Sequence, residues 1–226
     1  MATRQLLADL VSDYGHQTDQ VIAIESVGGV DAARRLQAGE AFDVVVLASD
    51  AIDKLVVAGH VVAGSKVDLV HSGVAVAVKA GTARPDIGSE AALKQAVLAA
   101  PTSGYSTGPS GVALAKLFER WGVADQLKAR TVQAPPGVPV GTLVARGEVA
   151  LGFQQFSELM HLQGIDVIGV LPEAIQVTTT FSAGICTGSP NGEAVRRMLA
   201  FMASPAAAQA IRRNGMEPAA STRNEQ

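Results

Sequence analysis

The sequence has almost no cysteine: one residue, Cys186, among 226. A single thiol cannot close a disulfide within the chain and leaves no second cysteine for a thiolate metal site. Aromatic residues make up only 4% of the chain, and no apolar run approaches the roughly 18 residues that cross a bilayer. The first ten residues contain charged side chains where a signal peptide has an apolar stretch, so the sequence as given predicts no export signal and a cytoplasmic location.

A strong charge of one sign is also missing. The 18 basic and 21 acidic residues leave a formal net charge of −3. Neither nucleic acid nor an anionic membrane is therefore expected as a partner. The four histidines are far apart in the sequence and no phosphate-binding P-loop motif is present. We expect no metal and no cofactor.

What the sequence does contain is a regular alternation of short apolar runs with helical patterns, which is typical of an α/β fold with a largely parallel sheet. Strands are predicted at 21–24, 43–48, 74–78, 131–133, 149–153, near 167 and at 176–186. Helices are predicted at 3–14, up to Gly39, from a cap at Ser49 or Asp50 to Gly59, from Ser89, at 112–121, up to Gly147, and twice after 186, the second from Ser204.

The first predicted element is a helix, whereas a doubly wound sheet normally begins with a strand. We therefore expect a first strand upstream of Met1, where a signal peptide could also lie. A signal peptide would move the expected location to the periplasm.

Three loops rich in glycine and hydroxyl residues lie where strands lead into helices: 26–29, 105–111 and 135–140. Backbone amides at helix N-termini, together with Ser and Thr hydroxyls, bind anions. If the loops come together they form an anion site without lysine. The alternative is that each is an ordinary cap or turn.

The segment from Gly104 to Gly108 matches the G-x-S-x-G motif that presents a nucleophilic serine, here Ser106. That motif needs a strand before it and a helix after it, and only the helix is evident. The downstream candidate for the base is His161. A serine hydrolase therefore stays an alternative.

Two further features suggest ligand binding. Polar residues 154–158 end a predicted strand, where an open α/β sheet places its ligand crevice, although Ser157 could equally cap the next helix. Arg4 could bind a carboxylate ligand in bidentate fashion or lie in solvent.

Four stretches resemble the substrate-binding proteins of bacterial ABC importers, specifically the molybdate-binding-like group with the type II periplasmic binding protein fold. The stretches are 36–48 continued by 52–59, Pro109-Ser110-Gly111 before a helix, 143–153, and 203–206 through 215–218. The resemblance covers nearly the whole chain.

The resemblance implies two α/β lobes, residues 1–72 plus 183–226 and residues 73–182, with a ligand cleft between them that closes by a hinge. It also implies a monomer that delivers its ligand to an ABC transporter permease. Carried over by position, and joined to the candidates above, the predicted ligand-binding residues are Thr3, Arg4, Ser26, Gly28, Gly29, Ser106, Ser110, Gly111, Gly137, Val138, Gln155 and Ser157. Gln155 departs from the family, because molybdate binders have tyrosine there.

The sequence therefore predicts a solute-binding protein that captures a small anion, either an inorganic oxyanion or a small organic carboxylate, for an ABC importer. The main alternative is an isomerase acting on a small tricarboxylate, since the family also resembles aconitate isomerase. Glu158 is then the candidate base, by its position. A cytoplasmic ligand-sensing module is a third alternative, against which the sequence shows no output domain.

Overall fold

The computed structural model describes residues 1–135 and 137–219, and the chain forms two compact units. Unit 1 contains Met1–Ser72 and the described residues from Thr179 onward, and unit 2 is Gly73–Thr178. The unit boundaries lie after residues 72 and 178, whereas the sequence placed them after 72 and 182. No helix among the described residues is long and apolar enough to cross a membrane.

Helices and strands alternate along much of the chain, although α2 follows α1 without the predicted strand between them. The helices are α1 (Arg4–Gly15), α2 (Gly29–Gln37), α3 (Ser49–Val57), α4 (Glu90–Ala99), α5 (Pro109–Arg120), α6 (Ala124–Leu127), α7 (Val140–Arg146), α8 (Phe156–Leu159), α9 (Gly192–Met202) and α10 (Ala208–Arg213). The strands are β1 (Val44–Ala48), β2 (Val67–Lys79), β3 (Ser103–Tyr105), β4 (Thr131–Gln133), β5 (Leu151–Gln155), β6 (Ile165–Val170), β7 (Thr178–Ile185) and β8 (Glu217–Pro218).

In unit 1 the strands lie in the order β1, β7, β2, with β8 also paired to β2. Strand β1 runs antiparallel to β7, with Val44 opposite Ile185. The apolar face of α1 packs with β2, β7, α9 and α10 in one core, in which Leu6 and Leu10 are almost completely buried. The helical spacing of these leucines is therefore the cause of both the helix and its orientation.

The strand predicted at residues 21–24 is wrong, because this segment is not paired with any described strand. Only Ile22 packs against the core, while Val21 is 99% exposed and Ile24 is 41% exposed. An apolar run becomes a strand only where a neighbour satisfies its backbone N–H and C=O groups. The sequence shows the run but not whether a neighbour is present.

The predicted N-cap residues of α3, Ser49 and Asp50, are also wrong. The N-cap is Ala48, and no side chain caps the helix. Strand β1 leads into α3 without an intervening loop, so Ser49 and Asp50 are already helical. Ser89 does cap α4, since its Oγ accepts a hydrogen bond from the Ala92 N–H at 3.1 Å.

In unit 2 the strands lie in the order β4, β3, β5, β2, β6. Strands β3, β4 and β5 are parallel, whereas β2 is antiparallel to β5 and β6. Side chains alternate between the two faces: Phe153 packs with α4 and α5, while Ala75 and Ala77 pack with Leu159 of α8 on the other face. The α/β class predicted from the sequence is confirmed. The prediction of a largely parallel sheet is wrong, because the β1–β7, β2–β5, β2–β6 and β2–β8 pairs are antiparallel.

Candidate functional site

The three parallel strands of unit 2 end at the same edge of the sheet. Tyr105, the last residue of β3, pairs with Gln133, the last residue of β4, and with Phe153, two residues before the end of β5. Loops that follow the carboxyl ends of parallel strands form the ligand crevice of open α/β sheets. The structure brings the following predicted residues to this edge: Ser106, Ser110, Gly111, Gly137, Val138, Gln155, Ser157 and Glu158.

The connection after β3 is held by hydroxyl groups and by a close backbone approach. Ser106 Oγ accepts a hydrogen bond from the Gly108 N–H at 3.3 Å and lies 3.4 Å from Ser110 Oγ. Helix α5 begins at Pro109, three residues before the predicted start, so Ser110 and Gly111 belong to its first turn. A Cβ on Gly111 would lie 1.7 Å from the Ser106 carbonyl oxygen. Glycine is therefore required there.

Ser106 does follow a strand, which the sequence did not reveal. The described hydrogen-bond contacts of its Oγ are nevertheless with Gly108 and Ser110 and not with a histidine. His161 is exposed in the turn after α8. A serine nucleophile needs a base within hydrogen-bond reach, so this arrangement gives the hydrolase alternative no support.

The connection after β4 contains Gly137, which is exposed and has a left-handed φ of 80°. The Val138 N–H donates to the Pro135 carbonyl at 3.0 Å, and α7 begins two residues later. Val138 is half-buried and packs against an apolar cluster that includes Val140 and Val144 of α7.

Strand β5 carries two buried amides at its end, Gln154 and Gln155, each 3% exposed. The strand extends to Gln155, two residues beyond the predicted end. Gln154 Oε1 accepts a hydrogen bond from the Gly141 N–H in the first turn of α7 at 3.2 Å. Its Nε2 donates to Oε2 of Glu158 on α8. Gln154 therefore links α7 to Glu158.

Glu158 has a shifted pKa, and Ser157 has a hydroxyl group that is unpartnered among the described residues. Burial raises the pKa of the Glu158 carboxyl above its ordinary value, although the hydrogen bond from Gln154 acts in the opposite direction. Ser157 Oγ is buried and has no hydrogen-bond partner within the described part of the chain. Carboxyls with a raised pKa and unpartnered buried hydroxyls are both found at functional sites.

The predicted residues of unit 1 do not follow strands. Thr3 is buried and is the N-cap of α1, where its carbonyl accepts from the Leu7 N–H at 2.8 Å. Arg4 is exposed on the first turn of α1. Ser26 and Gly28 are half-buried before α2, Gly28 is its N-cap, and Gly29 is its exposed first residue.

Gln154 is the site residue that the list of predicted ligands omitted. Two signals in the sequence could have identified it. It is the first of two adjacent glutamines that end an otherwise apolar strand, and it lies four residues before Glu158, with the strand ending between them.

The sequence model of the bacterial extracellular solute-binding protein family matches residues 1–217, so the chain belongs to this family. Among curated proteins, an aconitate isomerase from a Pseudomonas species is 40% identical over 201 residues, which cover 88% of this chain and 76% of the relative.

Solved structures agree with the family. The periplasmic molybdate-binding protein of Azotobacter vinelandii has a TM-score of 0.77 at 20% identity, covering 95% of this chain and 94% of that one. The tungstate ABC transporter structure from Geobacter sulfurreducens has a TM-score of 0.75 at 14% identity, covering 94% and 95%. The type II periplasmic binding protein fold, expected from the resemblance, is confirmed.

Proposed function

We propose that this member of the solute-binding family binds a small organic polycarboxylate and isomerises it by proton transfer, with aconitate as the substrate. The observation that carries the proposal is the side chain of Glu158. This residue follows β5 at the edge of the sheet where the parallel strands of unit 2 have their carboxyl ends, here called the carboxyl edge. Its carboxyl group accepts a hydrogen bond from Gln154 and has a raised pKa. The 40% identity with an aconitate isomerase supports the same chemistry.

Aconitate isomerisation is a proton shift. A base removes a proton from the methylene carbon beside a carboxylate, and the electron pair delocalises over the three-carbon allylic system. The proton then returns to the far carbon, so the double bond moves and no oxidant or co-reactant is consumed. A raised pKa makes the Glu158 carboxylate a stronger base than an ordinary glutamate, and its neutral form can still return the proton because the allylic carbanion is far more basic than a carboxylate.

The same edge supplies donors for the carboxylates of such a substrate. Ser157 Oγ has no partner among the described residues, and leaving a buried hydroxyl unsatisfied costs about 1–3 kcal/mol. A substrate carboxylate that accepts from Ser157 would recover this energy. Ser106, Ser110 and Gln155 are further candidate donors.

Capture of a small anion for an ABC importer is the second candidate function. It is favoured by the family match over residues 1–217 and by the molybdate- and tungstate-related structures. In this candidate the protein works in the periplasm, docks on a permease and binds its ligand without turnover.

The deciding experiment is to incubate the purified chain with cis-aconitate and with trans-aconitate in deuterated buffer. Ultraviolet absorbance follows the conversion, and proton NMR detects deuterium entering the methylene position. We expect conversion in both directions. Glu158→Gln should lower kcat by about 10²- to 10⁴-fold, because it keeps the shape and removes the base.

Glu173→Gln is the matched control, since Glu173 is an exposed glutamate of the same unit. No conversion by the parent protein, with a rise in Tm on adding molybdate or tungstate, would favour the importer candidate. Parental kcat in Glu158→Gln would eliminate Glu158 as the base.

A further inference from the structure

Gln154 has only one orientation that satisfies both of its hydrogen bonds. A backbone N–H can only donate, so the amide oxygen of Gln154 must face Gly141, at 3.2 Å. The NH₂ group at the other end of the amide then faces Glu158 and donates to its Oε2. A donor is therefore directed at one of the two carboxyl oxygens.

The surrounding packing holds the amide in place. Gln154 is 3% exposed, and Gly152 lies on the same face of β5, two residues earlier. A Cβ on Gly152 would lie 2.4 Å from Cγ2 of Val144, so helix α7 lies unusually close to the strand. The Gly141 N–H that orients Gln154 belongs to the first turn of this helix.

We infer that Gln154 is a positioning residue that keeps Oε2 of Glu158 as a hydrogen-bond acceptor and thereby leaves Oε1 as the oxygen that takes the proton from the substrate. This inference rests on the proposed function. The hydroxyl oxygen of a protonated carboxyl is a weaker hydrogen-bond acceptor than its carbonyl-type oxygen, so donation from the amide to Oε2 favours the neutral form of Glu158 that carries its proton on Oε1. When the substrate C–H bond breaks, the proton goes to Oε1, and it is returned from there to the far allylic carbon.

The kinetic test compares Gln154→Met with Gln163→Met. Methionine keeps the length of the side chain but neither donates to Glu158 nor accepts from Gly141 with comparable strength. Gln163 is an exposed glutamine in the turn after α8. We expect Gln154→Met to lower kcat by roughly 10- to 100-fold with KM within about twofold, because a misplaced base slows the chemical step without removing a substrate contact. Gln163→Met should retain both constants.

A role limited to supporting α7 would give a different result. The Tm of Gln154→Met would then fall while kcat per folded molecule stayed at the parental value, and that outcome would overturn the inference. A matched rise in KM with unchanged kcat would also overturn it, since Gln154 would then be a substrate ligand.

NMR separates this inference from the proposed function. The side-chain amide signals of Gln154 are assigned as the pair that disappears in Gln154→Met. If Oε2 accepts from this group, Glu158→Met should move its downfield proton upfield and speed its exchange with solvent. Absence of turnover in the parent would reject the proposed function, whereas an unchanged Gln154 signal in Glu158→Met would reject the positioning.

Discussion

The predicted ligand residues of the two units differ in how they are placed relative to the strands. In unit 2 the candidates follow the ends of three neighbouring parallel strands, and pairing of Tyr105 with Gln133 and Phe153 aligns those ends. In unit 1 the corresponding loop, 26–29, follows residues that form no strand. A glycine- and serine-rich loop thus becomes part of a common edge where parallel pairing fixes its position, and loop composition alone does not ensure this.

The largest difference between the units should be in the stability lost when Gly111 of unit 2 and Gly28 of unit 1 are each replaced by alanine. An added Cβ at Gly111 would lie 1.7 Å from a backbone oxygen, whereas at Gly28 the nearest atom is Oδ2 of Asp31, at 3.9 Å. We expect Gly111→Ala to lower the free energy of unfolding by about 3 kcal/mol or more, because the Ser106 backbone has to move. Gly28→Ala should cost no more than about 1 kcal/mol. Urea denaturation of both variants provides the measurement.

Equal losses of stability in the two variants would contradict this prediction. Such a result would mean that the close approach of α5 to the Ser106 connection does not constrain unit 2. A second readout is aconitate binding, which Gly111→Ala should weaken through displacement of Ser106 even where the protein remains folded.

The next largest effect separates a site hydroxyl from a structural one. Ser157 Oγ and Ser103 Oγ are both buried without a partner among the described residues, but Ser103 begins β3, whereas Ser157 follows the carboxyl end of β5. Removing either unsatisfied hydroxyl should raise the Tm of the free protein slightly. Only Ser157→Ala should weaken aconitate binding, by roughly 5- to 10-fold, which corresponds to about 1–1.4 kcal/mol.

Isothermal titration and ligand-induced shifts in Tm measure the two effects separately. If Ser103→Ala weakens binding as much as Ser157→Ala, the loss reflects general destabilisation and the carboxyl edge has no special role.

Most elements of the fold could be predicted because their signals are local. Leu6 and Leu10 have the spacing of one helical face. Ser89 caps α4 by accepting from a backbone N–H of its first turn, and Gly147 ends α7 with a left-handed φ of 78°. The errors lie where structure depends on a distant partner. Residues 21–24 have the composition of a strand but pair with no described strand. Strand β3, Ser103–Tyr105, is short and is held by pairing to β4 and β5.

The site follows the same rule. The sequence could indicate that residues 154–158 are polar at a strand end, and Glu158 could be selected by position. The orientation of the Gln154 side chain depends on the backbone N–H of Gly141, thirteen residues earlier in helix α7. Hydrogen bonds of this kind are decided by packing between elements, and no local pattern encodes them.

The smallest predicted effect concerns a carboxylate that stabilises unit 1 and is not itself a predicted ligand residue. Asp9 on α1 accepts hydrogen bonds from Asn214 at 2.9 Å and Gln5 at 3.0 Å. Partial burial acts to raise its pKa, but these bonds, together with Arg213, outweigh burial and hold the pKa below the ordinary value. A lowered pKa in the folded state means that the stabilisation is present above the unfolded pKa and disappears as pH falls through the folded one.

We therefore expect Asp9→Asn to lower the free energy of unfolding by about 0.5–1 kcal/mol at pH 7 and by progressively less as the pH falls below 4. Urea denaturation at a series of pH values tests this, with Asp13→Asn, an exposed position on the same helix, as the control. A loss that is independent of pH would show that shape and not charge is what Asp9 contributes. Asp9 is not among the predicted ligand residues, so aconitate turnover should be unaffected at pH 7, whereas Glu158→Gln and Gln154→Met should lose turnover.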